Sequence, residues 1–426
     1  MFSRRPPCVL RRKGGGGKPG MDLRMREAED GCRPGLLPQG LQDTLAPDAA
    51  REAAASEALI AHFARWGYER VHPPLLEFEE GLAAVADGGR LPDMFRLLDP
   101  ESRRVMVLRS DITLQMARLA ATRLKAAPRP LRLAYAGPVM KVTGDTLQPS
   151  RQFRQVGIEL IGTDSPRADR EVARAALSGL QALGMTGLVI DVVCPPLLEA
   201  LLRHWEIEAE HRAEVLRRVD VKDIAGASRE LAADQARLLA DLMAATGPLA
   251  SAGPLLERLA LPAALEPERR ALLTFAEALA RELPDVTVTI DPLERRGFEY
   301  HRGIAFAIFA TAAASELGRG GRYRIRRADG RFEPAVGFSA YMDRLLPLLP
   351  PAKETSGRIY ACPDADPGRI ASLRREGAVV IEALTDADAN GLRQAARRLG
   401  CTRILDAGGL KPLAPARAKR AQTERD

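Results

Sequence analysis

Cysteine is scarce in this sequence, and its five cysteines are not arranged for metal binding. They stand at positions 8, 32, 194, 362 and 401. No two of them form a C-x-x-C pair and no histidine lies beside them, which argues against a structural zinc site and for a reducing cytosolic environment. We therefore expect a cytoplasmic protein without a metal site.

Long apolar runs are also missing. The longest candidate, "IAFAIFATAAA" at residues 304–314, falls well short of the roughly 20 residues that span a bilayer as a helix. Hydrophobic residues make up 46% of the 426 residues and charged residues 28%, which is typical of soluble domains. The sequence predicts a soluble protein that has no membrane partner.

The body of the chain lacks an excess of basic residues, although the net charge is +7. Residues 1–35 hold nine Lys and Arg against four Asp and Glu, and residues 411–426 hold five against two. The remaining residues carry 49 basic and 50 acidic side chains. Binding of a polyanion depends on clustered cations, so the composition of the body gives no indication of nucleic-acid binding.

Composition divides the chain into a central body and two basic ends. The composition of residues 1–35 predicts either a disordered basic tail or a start codon placed too early, with Met21 or Met25 as the true start. Residues 36–347 show antiparallel strand patterns mixed with helices, interrupted at about 195–283 by an almost wholly helical insertion. A small α/β unit follows at 356–410, and 411–426 form a basic tail. The fold class is α+β, with an antiparallel sheet flanked by helices.

One strand carries an unusual polar face. In "SRQFRQVGIELIG", alternation places Phe153, Gln155, Gly157 and Glu159 on the same side. Gln155 and Glu159 are then roughly 13 Å apart along the strand, and Gly157 leaves an empty floor between them. This gap would suit a small polar molecule with an amino group. A half-exposed strand whose polar face meets water is the simpler alternative.

Six segments in order resemble the catalytic domain of class II histidyl-tRNA synthetases, from about Gly40 to Leu346. They are "GYERVHPPLLE", "LRSDITLQMARL", "LAYAGPVMKV…SRQFRQVGIELIG", "RRGFEYHRGIAF", "GRGGRYR" and "AVGFSAYMDRL". The resemblance implies a six- or seven-stranded antiparallel sheet flanked by helices. It also implies dimerisation through the segment that contains Gly67 to Glu77.

The same resemblance implies a pocket for histidine or a molecule of similar shape. The positions that match the family's amino-acid pocket are Asp111, Thr113, Gln155, Glu159, Arg296 and Tyr300, with Tyr323 of "GGRY" beside them. Carboxylates can pair with an ammonium or imidazolium group, and arginine can hold a carboxylate through two bonds. His301 stands where the family has a second tyrosine, which predicts looser selectivity for histidine.

The nucleotide half of the resemblance is degenerate. The family's second motif supplies an arginine and a glutamate to ATP, and the matching residues here are Lys141 and Thr143. In the third motif Tyr341 replaces a glycine, although Arg344 remains. Lysine does not replace arginine at a bidentate site, and a tyrosine on that floor would occlude ATP. We predict a degenerate ATP site and no aminoacylation.

The C-terminal unit predicts weak or absent tRNA recognition. A synthetase of this family carries a full anticodon-binding domain, whereas the unit here looks truncated. Its loops are acidic, with Asp364, Asp366, Asp386 and Asp388 in "CPDADP" and "TDADAN". These loops offer no stripe of cations for phosphates.

A retained amino-acid pocket beside a damaged ATP site resembles the paralogous family of ATP phosphoribosyltransferase regulatory subunits. Segment 216–227, "LRRVDVKDIAGA", resembles a helix of that family. The resemblance implies a noncatalytic chain without a cofactor that partners a short catalytic subunit and mediates feedback inhibition by histidine. Two alternatives stay open: an active histidyl-tRNA synthetase or amino-acid ligase, and a scaffold whose pocket is vestigial.

Overall fold

The computed structural model describes residues 36–87, 91–144, 149–298, 300–313, 315–351 and 357–413. The expected N-terminal tail, residues 1–35, lies outside the described residues, as do residues 414–426 of the expected C-terminal tail. Lys411 and Pro412, the first residues of that expected tail, instead belong to the last strand.

The described residues form sixteen strands and thirteen α-helices. The strands are β1 (Glu69–Arg70), β2 (Leu76–Phe78), β3 (Phe95–Leu98), β4 (Val105–Leu108), β5 (Leu131–Met140), β6 (Gln152–Ile161), β7 (Leu188–Val193), β8 (Gly247–Pro248), β9 (Thr287–Asp291), β10 (Ala305–Ala310), β11 (Gly318–Arg326), β12 (Phe332–Tyr341), β13 (Arg358–Ala361), β14 (Val380–Glu382), β15 (Cys401–Asp406) and β16 (Gly409–Pro412). The helices are α1 (Asp48–Ala64), α2 (Glu79–Ala83), α3 (Thr113–Ala121), α4 (Pro166–Ala182), α5 (Pro195–His204), α6 (Ala209–Asp220), α7 (Ile224–Ser228), α8 (Ala233–Ala244), α9 (Leu249–Arg258), α10 (Glu266–Glu282), α11 (Met342–Leu345), α12 (Pro367–Arg375) and α13 (Ala389–Arg398).

A nine-stranded sheet lies at the centre, in the order β1-β5-β6-β12-β11-β10-β7-β9-β8. Its six middle strands, from β5 to β7 in that order, pair antiparallel throughout. This confirms the α+β fold with a large antiparallel sheet. The structure adds short strands at both edges, where β1 pairs with β5 and β9 pairs with β7 in parallel.

Helices cover one face of the central sheet. Alternate residues of β6, Val156, Ile158 and Leu160, are buried in a large apolar cluster with α1 and α4. Helix α1 contributes Leu59 and Phe63, which lie four residues apart on the same helical face. This packing fixes the opposite, polar residues of β6 toward the other side of the sheet.

Helix α4 is anchored both at its start and to the sheet. The Ser165 hydroxyl accepts a hydrogen bond from the Arg167 amide at 3.3 Å, and Pro166 occupies the first helical position. Arg322 of β11 contacts Asp169 of α4 at 2.7 Å, and both side chains are nearly buried. Removing either partner would leave a buried charge unpaired, which is strongly destabilising.

The opposite face of the sheet carries helix α3 and a second apolar cluster. Leu133, Tyr135, Phe153 and Tyr323 of the sheet pack here with Met116 of α3. A three-stranded antiparallel sheet has the order β2-β4-β3, and helix α2 contacts β2, β4 and α3. The polar side chains of β6 project into this layer, so the candidate site lies on this face.

The region 195–283 contains helices α5 to α10, a 3₁₀ turn at Ala263–Leu265 and the two-residue strand β8. Segment 216–227, expected as a single helix, is broken between α6 and α7. Lys222 in the break has a φ of 59°, and its ammonium contacts Asp291 at 2.9 Å. Asp223 then caps α7 by accepting a hydrogen bond from the Gly226 amide at 2.9 Å.

The C-terminal elements form a four-stranded sheet in the order β14-β13-β15-β16, with α12 and α13. Two of its loop aspartates are helix caps. Asp366 accepts hydrogen bonds from the Gly368 and Arg369 amides, and Asp388 accepts one from the Gly391 amide. These acids stabilise helix starts in their own loops. Within the described residues, no helix is long and apolar enough to cross a membrane.

Candidate functional site

Strand β6 places Gln155 and Glu159 on the site face, as the alternation predicts. Both side chains are buried, each with 1% of its surface exposed. The alternative of a polar strand face that meets water is therefore wrong. Buried polar side chains need partners, so the neighbouring strands must supply them.

The empty floor expected at Gly157 is not empty. Tyr135 on the adjacent strand β5 pairs directly with Gly157, and a side chain at Gly157 would collide with the Tyr135 ring. The glycine therefore accommodates a neighbouring tyrosine rather than a ligand. The expectation of open space between Gln155 and Glu159 is wrong because it considered β6 alone.

Two tyrosines hold the carboxylate of Glu159. The hydroxyl of Tyr323 donates to Oε2 at 2.9 Å, and that of Tyr135 donates to Oε1 at 3.2 Å. Gly337 on β12 faces Glu159 across the ladder, and any side chain there would collide with the carboxylate. Burial, reinforced by the negative charge of Asp111 and opposed by the tyrosine bonds, raises the pKa of Glu159 to about 8.

Gln155 is the centre of a second hydrogen-bond network. Its amide oxygen accepts from the Ile112 backbone N–H at 3.0 Å. Its amide nitrogen donates to Asp111 Oδ2 at 2.9 Å and to the Ser339 hydroxyl at 2.7 Å. Asp111 Oδ1 also accepts from the Thr113 backbone N–H at 2.6 Å. The acid expected in the pocket is thus fixed by both β6 and the start of α3.

A cavity of about 880 Å³ opens above these groups. The expected site residues that line it are Asp111, Thr113, Gln155, Tyr300 and Tyr323 from the amino-acid set, and Lys141, Thr143 and Tyr341 from the nucleotide set. Glu159 lines a small recess of about 20 Å³ at the floor. The structure therefore brings eight of the eleven expected residues to one cavity and a ninth to the recess.

Arg296 is not brought to the cavity. Its side chain is exposed, and it lines neither the cavity nor the recess. Arg319 of β11 is an arginine that lines both the cavity and the recess. Its guanidinium contacts the Glu316 carboxylate at 2.6 Å and donates to the Gly297 carbonyl at 2.8 Å.

The nucleotide set is divided. Lys141 and Thr143 line the large cavity, with the Lys141 ammonium 5.4 Å from the centre of the Phe153 ring. Arg344 lines neither the cavity nor the recess, and instead donates to the Glu316 carbonyl at 2.9 Å. The guanidinium of Arg344 lies 4.7 Å from the centre of the Tyr341 ring. Tyr341 therefore separates the arginine of the third motif from the cavity.

His301 packs beside the pocket as a buried neutral group. Its ring centre lies 4.0 Å from that of Tyr300, and only 3% of its surface is exposed. Burial and the charge of Arg319 lower the pKa of His301 to about 3. The half-exposed Tyr300 thus packs against an imidazole that is uncharged near neutral pH.

Three residues of the site were missed by sequence reasoning. Tyr135 and Ser339 hydrogen-bond one another at 2.9 Å and reach Glu159 and Gln155, and Arg319 supplies the cation. Alternation in "LRLAYAGPV" and "AVGFSAY" could have placed Tyr135 and Ser339 on a sheet face. Only the strand register places both beside Gly157.

Among the described residues, no group of three or more His, Cys, Asp or Glu side chains is placed to hold a metal ion. The polar groups of the site instead offer the carboxylates of Asp111 and Glu159 and the guanidinium group of Arg319, which all line the recess at the floor of the cavity. That arrangement suits a small zwitterion with an ammonium and a carboxylate.

This chain is similar in sequence to known proteins. The sequence model of the histidyl-tRNA synthetase family matches residues 40–345. A protein of Rhodospirillum rubrum named ATP phosphoribosyltransferase regulatory subunit is 43% identical over 380 residues, covering 89% of this chain and 97% of its own length.

Two solved structures share the fold. One, from Bacillus halodurans, is described as an ATP phosphoribosyltransferase regulatory subunit/histidyl-tRNA synthetase; its TM-score is 0.72 at 22% identity, covering 88% of this chain and 98% of that one. A chain of the ATP phosphoribosyl transferase (HisG:HisZ) complex from Thermotoga maritima has a TM-score of 0.54 at 20% identity, covering 68% and 97%. At these identities the two structures establish the fold alone.

Proposed function

Because this chain belongs to the family of ATP phosphoribosyltransferase regulatory subunits, we propose that it assembles with a short catalytic subunit and controls its activity. The catalytic chemistry resides in the partner, in the first step of histidine biosynthesis. Histidine is the effector that this chain senses. The observation that carries the proposal is the buried pair Gln155 and Glu159 beneath a cavity that also contains Arg319.

The charged side chains of the pocket match the two charged groups of an amino acid. Asp111 and Glu159 offer carboxylates to an α-ammonium or an imidazolium group. Arg319, which lines the cavity, and Arg344, which lies behind Tyr341, both contact the single carboxylate of Glu316. Two guanidinium groups sharing one carboxylate leave a net positive charge, which favours a ligand carboxylate.

Glu159 adds a proton-linked feature to this pocket. With a pKa of about 8, its carboxyl is mostly protonated near pH 7 when the pocket is empty. A cation bound beside it favours the charged form, so binding of an ammonium or imidazolium group releases a proton. For a histidine held through its α-ammonium group, the affinity therefore rises as the pH approaches 8.

Control of a catalytic partner requires that histidine bind one state of the complex better than another. A ligand with equal affinity for both states shifts neither. Since Asp111 precedes α3 and Tyr300 lies in the loop before β10, a bound amino acid contacts two separate elements. We propose that these elements move relative to each other between the two states, so that a bound histidine makes better contacts in one state than in the other.

The geometry does not favour an active synthetase. Lys141 is a point charge where the synthetase motif has a forked cation, and Arg344 is held behind Tyr341. Activation of an amino acid requires cations placed on the transferred phosphate in the transition state. At the two expected positions, 141 and 344, the structure places no guanidinium group in the cavity.

Further parts of the proposal concern assembly. We propose a homodimer through the segment Gly67 to Glu77, a cytoplasmic location and no tRNA partner. Size-exclusion chromatography with light scattering tests the dimer. A titration with bulk tRNA at physiological salt tests the last point, since specific binding would contradict it.

The decisive experiment measures ATP phosphoribosyltransferase activity of the short catalytic subunit from the same genome. The subunit is assayed alone, with this chain, and with this chain plus histidine. We expect stimulation by the chain and its reversal by histidine. Absence of both stimulation and co-elution would refute the proposal, and histidine-dependent pyrophosphate exchange by the chain alone would favour the synthetase alternative.

A further inference from the structure

A second cavity lies behind the pocket, at the junction of helix α5 with the central sheet. Its volume is about 340 Å³. Four guanidinium groups line it, from Arg203, Arg295, Arg302 and Arg324, and one carboxylate lines it, that of Glu199. Asp87 and Asp220, which do not line the cavity, pair with three of the arginines. Four cations against three carboxylates leave one net positive charge, which attracts an anion.

The cations keep free hydrogen-bonding capacity despite their ion pairs. Arg302 and Arg324 share the carboxylate of Asp87, at 2.8 and 2.9 Å. Arg302 uses one guanidinium N–H for that contact and Arg324 uses two. Each guanidinium has five N–H groups in a planar fork, so donors remain for a ligand.

The other two cations differ from each other. Arg295 contacts Asp220 at 2.9 Å and Glu199 at 3.3 Å, so it is well neutralised. Arg203 is exposed, and within the described residues its contact is a hydrogen bond to the Glu199 backbone carbonyl at 3.3 Å rather than an ion pair. Arg203 is therefore the cation most available to a bound anion.

The start of α5 does not supply backbone donors to the cavity. Its first two positions are Pro195 and Pro196, which have no N–H, and both line the cavity. Recognition must then come from the arginine forks. Such forks match the oxygens of phosphate groups and bind them through paired hydrogen bonds.

We propose that this cavity is a binding site for a small anion that carries a phosphate or pyrophosphate group. Its volume lies at the lower end of the range for ligand pockets, roughly 300 to 1,000 Å³, which suits a compact ligand. Three arginines from three elements converge on it: Arg203 from α5, Arg302 from the loop before β10, and Arg324 from β11.

The site is coupled to the amino-acid pocket through shared residues, a consequence that rests on the proposed function of that pocket. His301 lines both the anion cavity and the recess that contains Glu159. Arg302 and Arg324 line both the anion cavity and the large cavity. An anion that reorients these side chains changes histidine affinity, and histidine changes anion affinity by the same factor.

The test is isothermal titration calorimetry of the full chain with sodium pyrophosphate and, separately, inorganic phosphate at constant ionic strength. We expect saturable binding of at least one of them, one anion per chain. The Arg203→Glu variant should bind about tenfold or more weakly, because a charge-assisted contact is lost and a repulsive one is added. Glu199→Gln should bind several-fold more tightly, since it removes the lining carboxylate.

The two variants are expected to change the anion affinity in opposite directions. Misfolding could explain weaker binding by Arg203→Glu, but it could not explain tighter binding by Glu199→Gln. Arg237→Glu is the matched control, because Arg237 is an exposed arginine on α8 that does not line the cavity. Its affinity should equal that of the wild type. Equal affinity of Arg203→Glu and wild type, or no saturable binding of either anion, would overturn the proposal.

A histidine titration of the same protein distinguishes this proposal from the proposed function. If the protein binds histidine but neither anion, the anion site is refuted and the amino-acid pocket is not. If it binds an anion but not histidine, the amino-acid pocket is refuted and the anion site is not. If both bind, addition of saturating pyrophosphate should change the histidine dissociation constant, and an unchanged constant would refute the coupling.

Discussion

The buried carboxyl of Glu159 makes a quantitative prediction about pH and stability. Its pKa is about 8 in the folded chain, against an ordinary value of 4.5. A carboxyl whose pKa is raised on folding holds its proton more tightly in the folded state. Its contribution is therefore most favourable at low pH and is lost as pH rises from about 4.5 toward 8.

The magnitude follows from the size of the shift. Each pH unit in that window costs the folded state about 1.4 kcal/mol, so between pH 5 and pH 8 the loss is roughly 4 kcal/mol. Glu159→Gln keeps an acceptor for Tyr323 and has no proton to lose. We expect the variant to gain stability relative to wild type by roughly this amount between these two pH values.

Urea unfolding of both proteins, followed by circular dichroism at pH 5, 6, 7 and 8, measures the difference. Asp191 is also buried and its pKa is raised to about 6, but it is present in both proteins and cancels in the comparison. A difference in unfolding free energy that stays constant across the pH range would refute the buried-carboxyl reasoning.

Three further predictions concern the pocket. Gln155→Ala should reduce histidine sensitivity about tenfold or more and cost roughly 1–3 kcal/mol of stability, because it leaves a buried N–H unpaired; co-elution with the catalytic subunit should persist, and an unchanged inhibition curve would contradict it. Arg319→Gln should weaken histidine binding about tenfold in calorimetry, whereas Arg296→Gln should leave it unchanged; the reverse order would restore the sequence-based assignment. Tyr341→Gly should not produce histidine-dependent pyrophosphate exchange, since Glu316 still holds Arg344 through its backbone carbonyl and its carboxylate, and any exchange would contradict this interpretation.

The sequence predicts the face of each strand more reliably than what lies opposite it. Alternation alone places Gln155 and Glu159 on one side of β6, and burial of Val156 and Ile158 on the other side enforces that choice. The order of the six segments similarly predicts the antiparallel centre of the sheet. Both are properties of a chain pattern, which the sequence contains directly.

Register and loop direction are the parts that the sequence does not contain. Gly157 has no side chain because Tyr135 of a neighbouring strand fills that space, and the pairing depends on how β5 and β6 align. Arg296 follows a turn with no periodicity, so nothing in the sequence fixes where its side chain points. Arg319 lies on a regular strand, and the sheet directs it into the pocket.

Glu316 provides the most direct test of Arg319 as the cation that binds the ligand carboxylate. It contacts Arg319 at 2.6 Å and Arg344 at 3.5 Å, so it neutralises part of a two-arginine cluster. Arg319 donates to both oxygens of the Glu316 carboxylate, at 2.8 and 2.6 Å, whereas the backbone carbonyl of Glu316 accepts from Arg344 at 2.9 Å. Glu316→Gln keeps one side-chain oxygen and the backbone carbonyl as acceptors, so it raises the net positive charge and costs one of the two Arg319 hydrogen bonds.

If a ligand carboxylate binds at Arg319, this added charge should strengthen histidine binding by about 1 kcal/mol, or about fivefold, at low ionic strength, and less at high salt. Calorimetry at two salt concentrations measures both effects. Glu282→Gln is the matched control, because it removes a carboxylate paired with two arginines on helix α4, outside the pocket. A histidine affinity in Glu316→Gln that is unchanged or weaker at both salt concentrations would contradict binding of the ligand carboxylate at Arg319.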